Sequence, residues 1–97
     1  MIRHVVVITW RPEATDEARQ QVQDELAKLP PLLAGLRGYT LGRDLGINPG
    51  NAQLAIVADF DDADSYRAYR DHPAHQDIVR RLISPIAAER RGVQFEL

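Results

Sequence analysis

Cysteine is absent from the 97-residue chain, which excludes disulfides, thiolate nucleophiles and sulfur-ligated zinc while leaving the compartment open. An excess of one charge is also missing. Twelve Lys and Arg stand against 14 Asp and Glu, a formal net charge of −2, so the electrostatic footprint of a sequence-independent nucleic-acid binder is lacking. The only basic doublets, Arg80-Arg81 and Arg90-Arg91, read as a solvated face near the C-terminus. Apolar runs such as Val5–Ile8 are far too short to span a membrane, and Met1–His4 leads into that run with no cleavage signal. The expectation is a cytoplasmic protein with neither membrane nor nucleic-acid partner. There is no glycine-rich phosphate loop, Ser-His-acid arrangement or nucleotide fingerprint. Trp10 and the three tyrosines are too scattered to frame a haem or flavin. Lysine is nearly missing too, and arginine in its place fits a GC-rich bacterial genome.

What is present fits one domain over residues 1–97, because this length supports a single sheet layered with two or three helices. From Ile2 to Trp10 the residues are apolar and β-branched, with His4, Val6, Ile8 and Trp10 on one face and Arg3, Val5, Val7 and Thr9 on the other. Both faces read as buried. Arg11-Pro12 stops this strand, and Thr15 with Asp16 and Glu17 caps a helix. The stripe of that helix is Ala18, Val22, Leu26, Leu29 and Leu33. Pro30-Pro31 disturbs its end before Gly35 and Gly38 release the chain. Tyr39 to Leu45 alternate as a second strand, with Tyr39, Leu41, Arg43 and Leu45 on one face. A turn cluster from Gly46 to Asn51 leads to a third strand, Gln53–Phe60.

Asp61-Asp62-Ala63-Asp64 opens the next helix with acids at its positive end, and Tyr66 and Tyr69 follow at helical spacing. His72 precedes a proline and is biased away from helical angles, while Pro73 suits the first position of a new helix. The helix therefore breaks at His72 and restarts. Ile78, Val79, Leu82, Ile83, Ile86 and Ala87 form the following stripe, with Ser84-Pro85 as a possible second restart. Val93, Phe95 and Leu97 alternate in a short final strand.

The order β-α-β-β-α-β is the split βαβ, or ferredoxin-like, α+β arrangement, an open sheet with helices on one face. A small domain buries only about 60–65% of its unfolded surface. The aliphatic second face of the first and third strands would be an exposed apolar patch unless covered. A second copy packed sheet to sheet, with Arg3, Val5, Val7, Ala55 and Val57 in the interface, is the simplest cover.

Chemistry concentrates at Tyr69-Arg70-Asp71-His72-Pro73-Ala74-His75, which holds two of the three histidines. His75 falls at about the third position of the helix begun by Pro73, where the positive helix end keeps an imidazole neutral and able to accept a proton. Tyr69 is placed to stabilise a developing enolate oxygen, and His4, the odd residue on an apolar strand face, to orient a substrate. Val6, Ile8, Val22, Leu26, Leu54, Ile56 and Ile83 would supply the apolar wall and His72 a further polar contact, around a small carbonyl-containing ligand. Such chemistry requires no cofactor. The bland reading stands beside it: a satisfied core histidine at His4, a helix stop at His72-Pro73, a core-capping Tyr69, and a non-catalytic interaction domain. The i,i+3 spacing of His72 and His75 permits a metal, but a proline inside the pair and the lack of a fixed carboxylate partner count against one, and no metal ligands are assigned.

Taken together, Ile2-Arg3-His4-Val5-Val6 opening the first strand, Phe60 closing the third before an acidic helix start, and Tyr69–His75 with its His-Pro-x-His element closely resemble the stress-responsive dimeric α/β-barrel (Dabb) family over essentially all 97 residues. The resemblance implies a ferredoxin-like monomer whose sheet pairs with a second copy as a dimeric α+β barrel. Many members have no known activity. One is a plant polyketide cyclase that closes a linear poly-ketone by aldol condensation, and its strand histidine, tyrosine and helix histidine match His4, Tyr69 and His75. The histidine matching His72 also lies in that site. Where the cyclase lines its pocket with aromatics on the first helix, this chain carries Val22, Gln23 and Leu26, so the cavity and its ligand differ.

Overall fold

Four strands form the sheet of the computed structural model, which describes residues 1–97: β1 (Ile2–Trp10), β2 (Leu36–Arg43), β3 (Leu54–Phe60) and β4 (Ala87–Glu96). Their spatial order is β2-β3-β1-β4, and each neighbouring pair is antiparallel. Helices α1 (Asp16–Leu26), α2 (Ala63–Asp71) and α3 (Pro73–Ile78) complete the ferredoxin-like α+β arrangement. A 3-10 turn over Pro30–Leu32 follows α1, where consecutive prolines cannot continue an α-helix.

The register explains the two faces. His4 lies opposite Ala58 and Gln94, Val6 opposite Ile56 and Gly92, and Ile8 opposite Leu54 and Arg90, all on the helix side. On this side Ile8, Leu54, Ile56, Ala58 and Phe60 pack with Val22, Leu26, Leu29 and Tyr69 as the buried core. Thr15 caps α1 as its sequence suggests, its hydroxyl oxygen accepting the Ala18 N–H at 3.1 Å. Asp62 caps α2 in the same way, from the Ser65 N–H.

Two expectations are corrected. The second strand begins earlier and stops at Arg43, and Leu45 lies beyond it, 84% exposed. It starts directly after Gly35, whose φ of 81° turns the chain where a Cβ would strike the Ser65 hydroxyl. The larger correction concerns the C-terminal strand. Ile86 and Ala87 do not extend a helix, and Ser84-Pro85 does not restart one. Instead α3 widens into a π turn over Val79–Ile83, closed by the Ser84 N–H on the Val79 carbonyl, and β4 then runs ten residues from Ala87. Its first half, Glu89-Arg90-Arg91, is charged because β4 is an edge strand, where charge blocks pairing with another chain.

No helix is long and apolar enough to cross a membrane.

Candidate functional site

Between the sheet and the α2–α3 junction lies a cavity of about 260 Å³. Its inner wall is apolar, from Val6, Ile8, Leu26, Ile56 and Ile83. Its mouth runs along β4, where Arg90, Gly92 and Gln94 are exposed and face the helices because they pair with Ile8, Val6 and His4. Residues from the helices close the other side, among them Tyr66, Tyr69 and His75. The junction exists because Pro73 follows His72: the His72 backbone is extended, its Nδ1 accepts the Ala74 N–H at 3.0 Å, and α3 departs in a new direction.

His4, Tyr69 and His75 are brought together. The Tyr69 ring lies 5.8 Å from that of His4 and 4.3 Å from that of His75, centroid to centroid, and is itself 2% exposed. Tyr66, 4.8 Å from His4, completes an aromatic surround. His4 is a buried polar residue, 6% exposed. Its Nδ1 accepts a hydrogen bond from the Gln94 amide at 2.9 Å. The proton of the neutral ring therefore sits on Nε2. His75 has the reverse arrangement. Its Nδ1 lies 3.1 Å from the Arg70 carbonyl, which can only accept, so Nδ1 carries the proton and Nε2 keeps its lone pair. That carbonyl, at the end of α2, has no partner within its own helix turn and is satisfied in part by this bond.

Both rings are held neutral at pH 7. Burial, reinforced by the nearby His75, pushes His4 down to about 4. Burial lowers His75 as well, only partly offset by its bond to the Arg70 carbonyl, and the positive charge of Arg90 acts in the same direction as burial. Tyr69 is raised, again chiefly by burial.

Three expected positions fall outside the cavity wall. Val22 is fully buried within the core beneath it, and Leu54 likewise packs in the core. His72 spends its Nδ1 on the α3 cap. The Tyr69 hydroxyl lies 3.5 Å from the Tyr39 hydroxyl, on the side of β2, and Tyr39 is not part of the wall. No group of three or more His, Asp or Glu side chains is arranged to hold a metal ion. Residues that sequence reading did not assign to the site are Tyr66, Arg70, Gln76 and Val79 on the helix side and Arg90, Gly92 and Gln94 on β4. The signal for the β4 residues was the period-two alternation of Val93 and Phe95, which extends backward through Arg91 and Glu89 and leaves the intervening residues on the helix face.

A family model described as Stress responsive A/B Barrel Domain (Dabb) matches residues 2–97. The chain belongs to the Dabb family. It is 42% identical to a dimeric ferredoxin-like protein of unknown function from Thermobifida fusca, with a TM-score of 0.91 over 99% of this chain and 90% of that one. A Dabb family protein with a ferredoxin-like fold from Mesorhizobium loti is 23% identical, with a TM-score of 0.81 over 99% and 95% of the two chains. The hydroxynitrile lyase from Passiflora edulis is 13% identical, with a TM-score of 0.86 over 99% and 92%. At these last two identities the likeness shows the fold alone. No curated protein sequence matches the chain significantly.

Proposed function

We propose that this Dabb domain works as a homodimer whose cavity binds a small carbonyl compound and moves a proton at the carbon beside the carbonyl. The observation that carries the reading is the opposite polarity of two neutral imidazoles around one cavity: His4 presents an Nε2–H donor and His75 an Nε2 acceptor. As the substrate C–H bond breaks, its proton passes to His75 Nε2 and its electron pair moves toward the carbonyl oxygen, which accepts a hydrogen bond from His4 Nε2–H. The enolate-stabilising role expected of Tyr69 thus falls to His4, because the Tyr69 hydroxyl is turned to Tyr39. Tyr69 serves as the positioning ring between the two histidines. The scheme uses no cofactor.

Cavity size selects among substrates. About 260 Å³ lies below the ~300–1,000 Å³ of pockets for drug-sized ligands, which favours a compact molecule over the linear poly-ketone of a cyclase-type reaction. The homodimer is supported by the face without helices, where Val7 is 37%, Val93 55% and Phe95 45% exposed beside Val5 and Val57. A contiguous apolar face of this kind marks an interaction surface. The similar protein from Thermobifida fusca is described as dimeric.

The test is deuterium incorporation from D2O, followed by NMR, into a panel of small ketones, 2-oxo and 3-oxo acids and the methyl esters of those acids. Wild type should accelerate exchange in at least one member, and His75→Ala should lower that rate by about 10²-fold or more. No acceleration in any member, or acceleration that survives His75→Ala, would overturn the reading.

A further inference from the structure

The mouth of the cavity carries one positive charge, that of Arg90, which no acidic side chain of the chain pairs with. None of the 15 residues around the cavity is an Asp or Glu, whereas two are arginines, Arg70 and Arg90. Arg70 is already engaged in a two-point ion pair with Asp71, at 2.8 and 3.0 Å. Arg80 and Arg81, the other basic doublet, share Asp77. Arg91, beside Arg90, points to the opposite face and faces Glu89 at 3.6 Å. Arg90 alone at this mouth has neither an ion-pair partner nor a side-chain hydrogen bond. The neighbouring backbone keeps the approach open: Gly92, next on the same face, has no side chain, and a Cβ there would sit 3.5 Å from Val6, in ordinary contact. Two amides, Gln76 and Gln94, flank the same opening.

An unpaired guanidinium at the rim of a small apolar cavity has the geometry for a planar carboxylate, which it can grip through two parallel N–H bonds. A single positive charge, with no lysine or phosphate-cradling loop beside it, matches a monoanion better than a phosphate dianion. We propose that Arg90 binds the carboxylate of the substrate, which is therefore a small oxo acid, with its carboxylate at the β4 mouth and its carbonyl between His4 and His75. This rests on the proposed proton-transfer site and names its substrate class.

Binding of 2-oxo and 3-oxo acids of about four to six carbons, a size suited to a cavity of this volume, is compared with that of their methyl esters by ligand-observed NMR titration. Wild type should bind at least one acid about tenfold tighter than its ester, with a preference that shrinks as salt is raised. Arg90→Gln should abolish the preference for acid over ester, Arg90→Lys should keep part of it, and Arg80→Gln should keep all of it. Equal affinity for acid and ester, or a preference that survives Arg90→Gln, would overturn the assignment. If the esters bind and exchange deuterium through His75 with no preference for the acids, the assignment of Arg90 fails and the proton-transfer reading stands. If neither acids nor esters bind, both fail.

Discussion

The two faces of one sheet, built from alternate residues of the same strands, differ in kind. On the helix side β1 places His4 among Val6, Ile8 and Trp10, and α2 and α3 bring Tyr66, Tyr69 and His75 over it. On the other side β1 places Arg3, Val5 and Val7 against Ala55, Val57 and Asp59 of β3 and Arg91, Val93 and Phe95 of β4. Of the charged pairs there, Arg3 with Asp59 is satisfied at two points, 2.8 and 2.9 Å, and Arg91 faces Glu89 at 3.6 Å. The first face is enclosed by its own chain but leaves a cavity whose apolar inner wall carries a few polar groups. The second is covered by no helix and leaves apolar side chains in the open. A polar group in a mostly buried face requires a partner or a use, and an apolar patch in an open face requires a cover. The period of two lets a single strand carry both demands without compromise.

Breaking the open face should have the largest effect. Val5 lies opposite Val57 and Val93, so a carboxylate at this position meets no cation directly across from it. Val5→Glu should weaken the dimer by about 3 kcal/mol or more, a hundredfold or greater in Kd, read by sedimentation equilibrium. A wild-type protein that sediments as a single chain at micromolar concentration would remove the distinction between the faces.

The helix face is sharpened by pH. His4 ionises near 4 in the folded chain against an ordinary value of 6.5, so between these values the unfolded chain binds a proton that the folded one refuses. Stability from this residue is complete above about pH 6.5 and falls as the pH drops toward 4, with His75 acting in the same direction. The shift sets a ceiling of about 3 kcal/mol, and screening through the cavity mouth brings this to about 1–2 kcal/mol. The carboxylates held below their ordinary range by Arg3, Arg37 and Arg70 stabilise the fold above about pH 3.8 and lose that stabilisation only as pH falls below it, so they add little slope between pH 7 and 4.5. Urea unfolding of wild type and His4→Asn between pH 7 and 4.5 should therefore show a loss of stability that the variant lacks in part. Parallel curves would mean that His4 is not held neutral by its surroundings.

How far these faces could be read from the sequence depended on the kind of signal each element carried. Alternation in β1, the Thr15 cap and the His72-Pro73 break are local, and each appears where its residues place it. The pairing of His4, Tyr69 and His75 was legible only through the resemblance of the whole pattern, since no local rule joins residues so far apart. The third wall of the cavity was hidden because Glu89-Arg90-Arg91 looks like a solvated stretch, and an edge strand is solvated on part of both faces. The direction of the Tyr69 hydroxyl was equally out of reach. It depends on Tyr39, thirty residues earlier on β2, across a contact that no spacing rule describes.

Nitrogen NMR of histidine-labelled protein at pH 6 to 7 reads whether the cavity holds two neutral imidazoles of opposite polarity. Chemical shifts and two-bond couplings to the ring protons should show His4 neutral with its proton on Nε2, and His75 neutral with its proton on Nδ1. His75 protonated on both nitrogens at neutral pH, or carrying its only proton on Nε2, would contradict the account, because no lone pair would then remain at Nε2 to receive a proton.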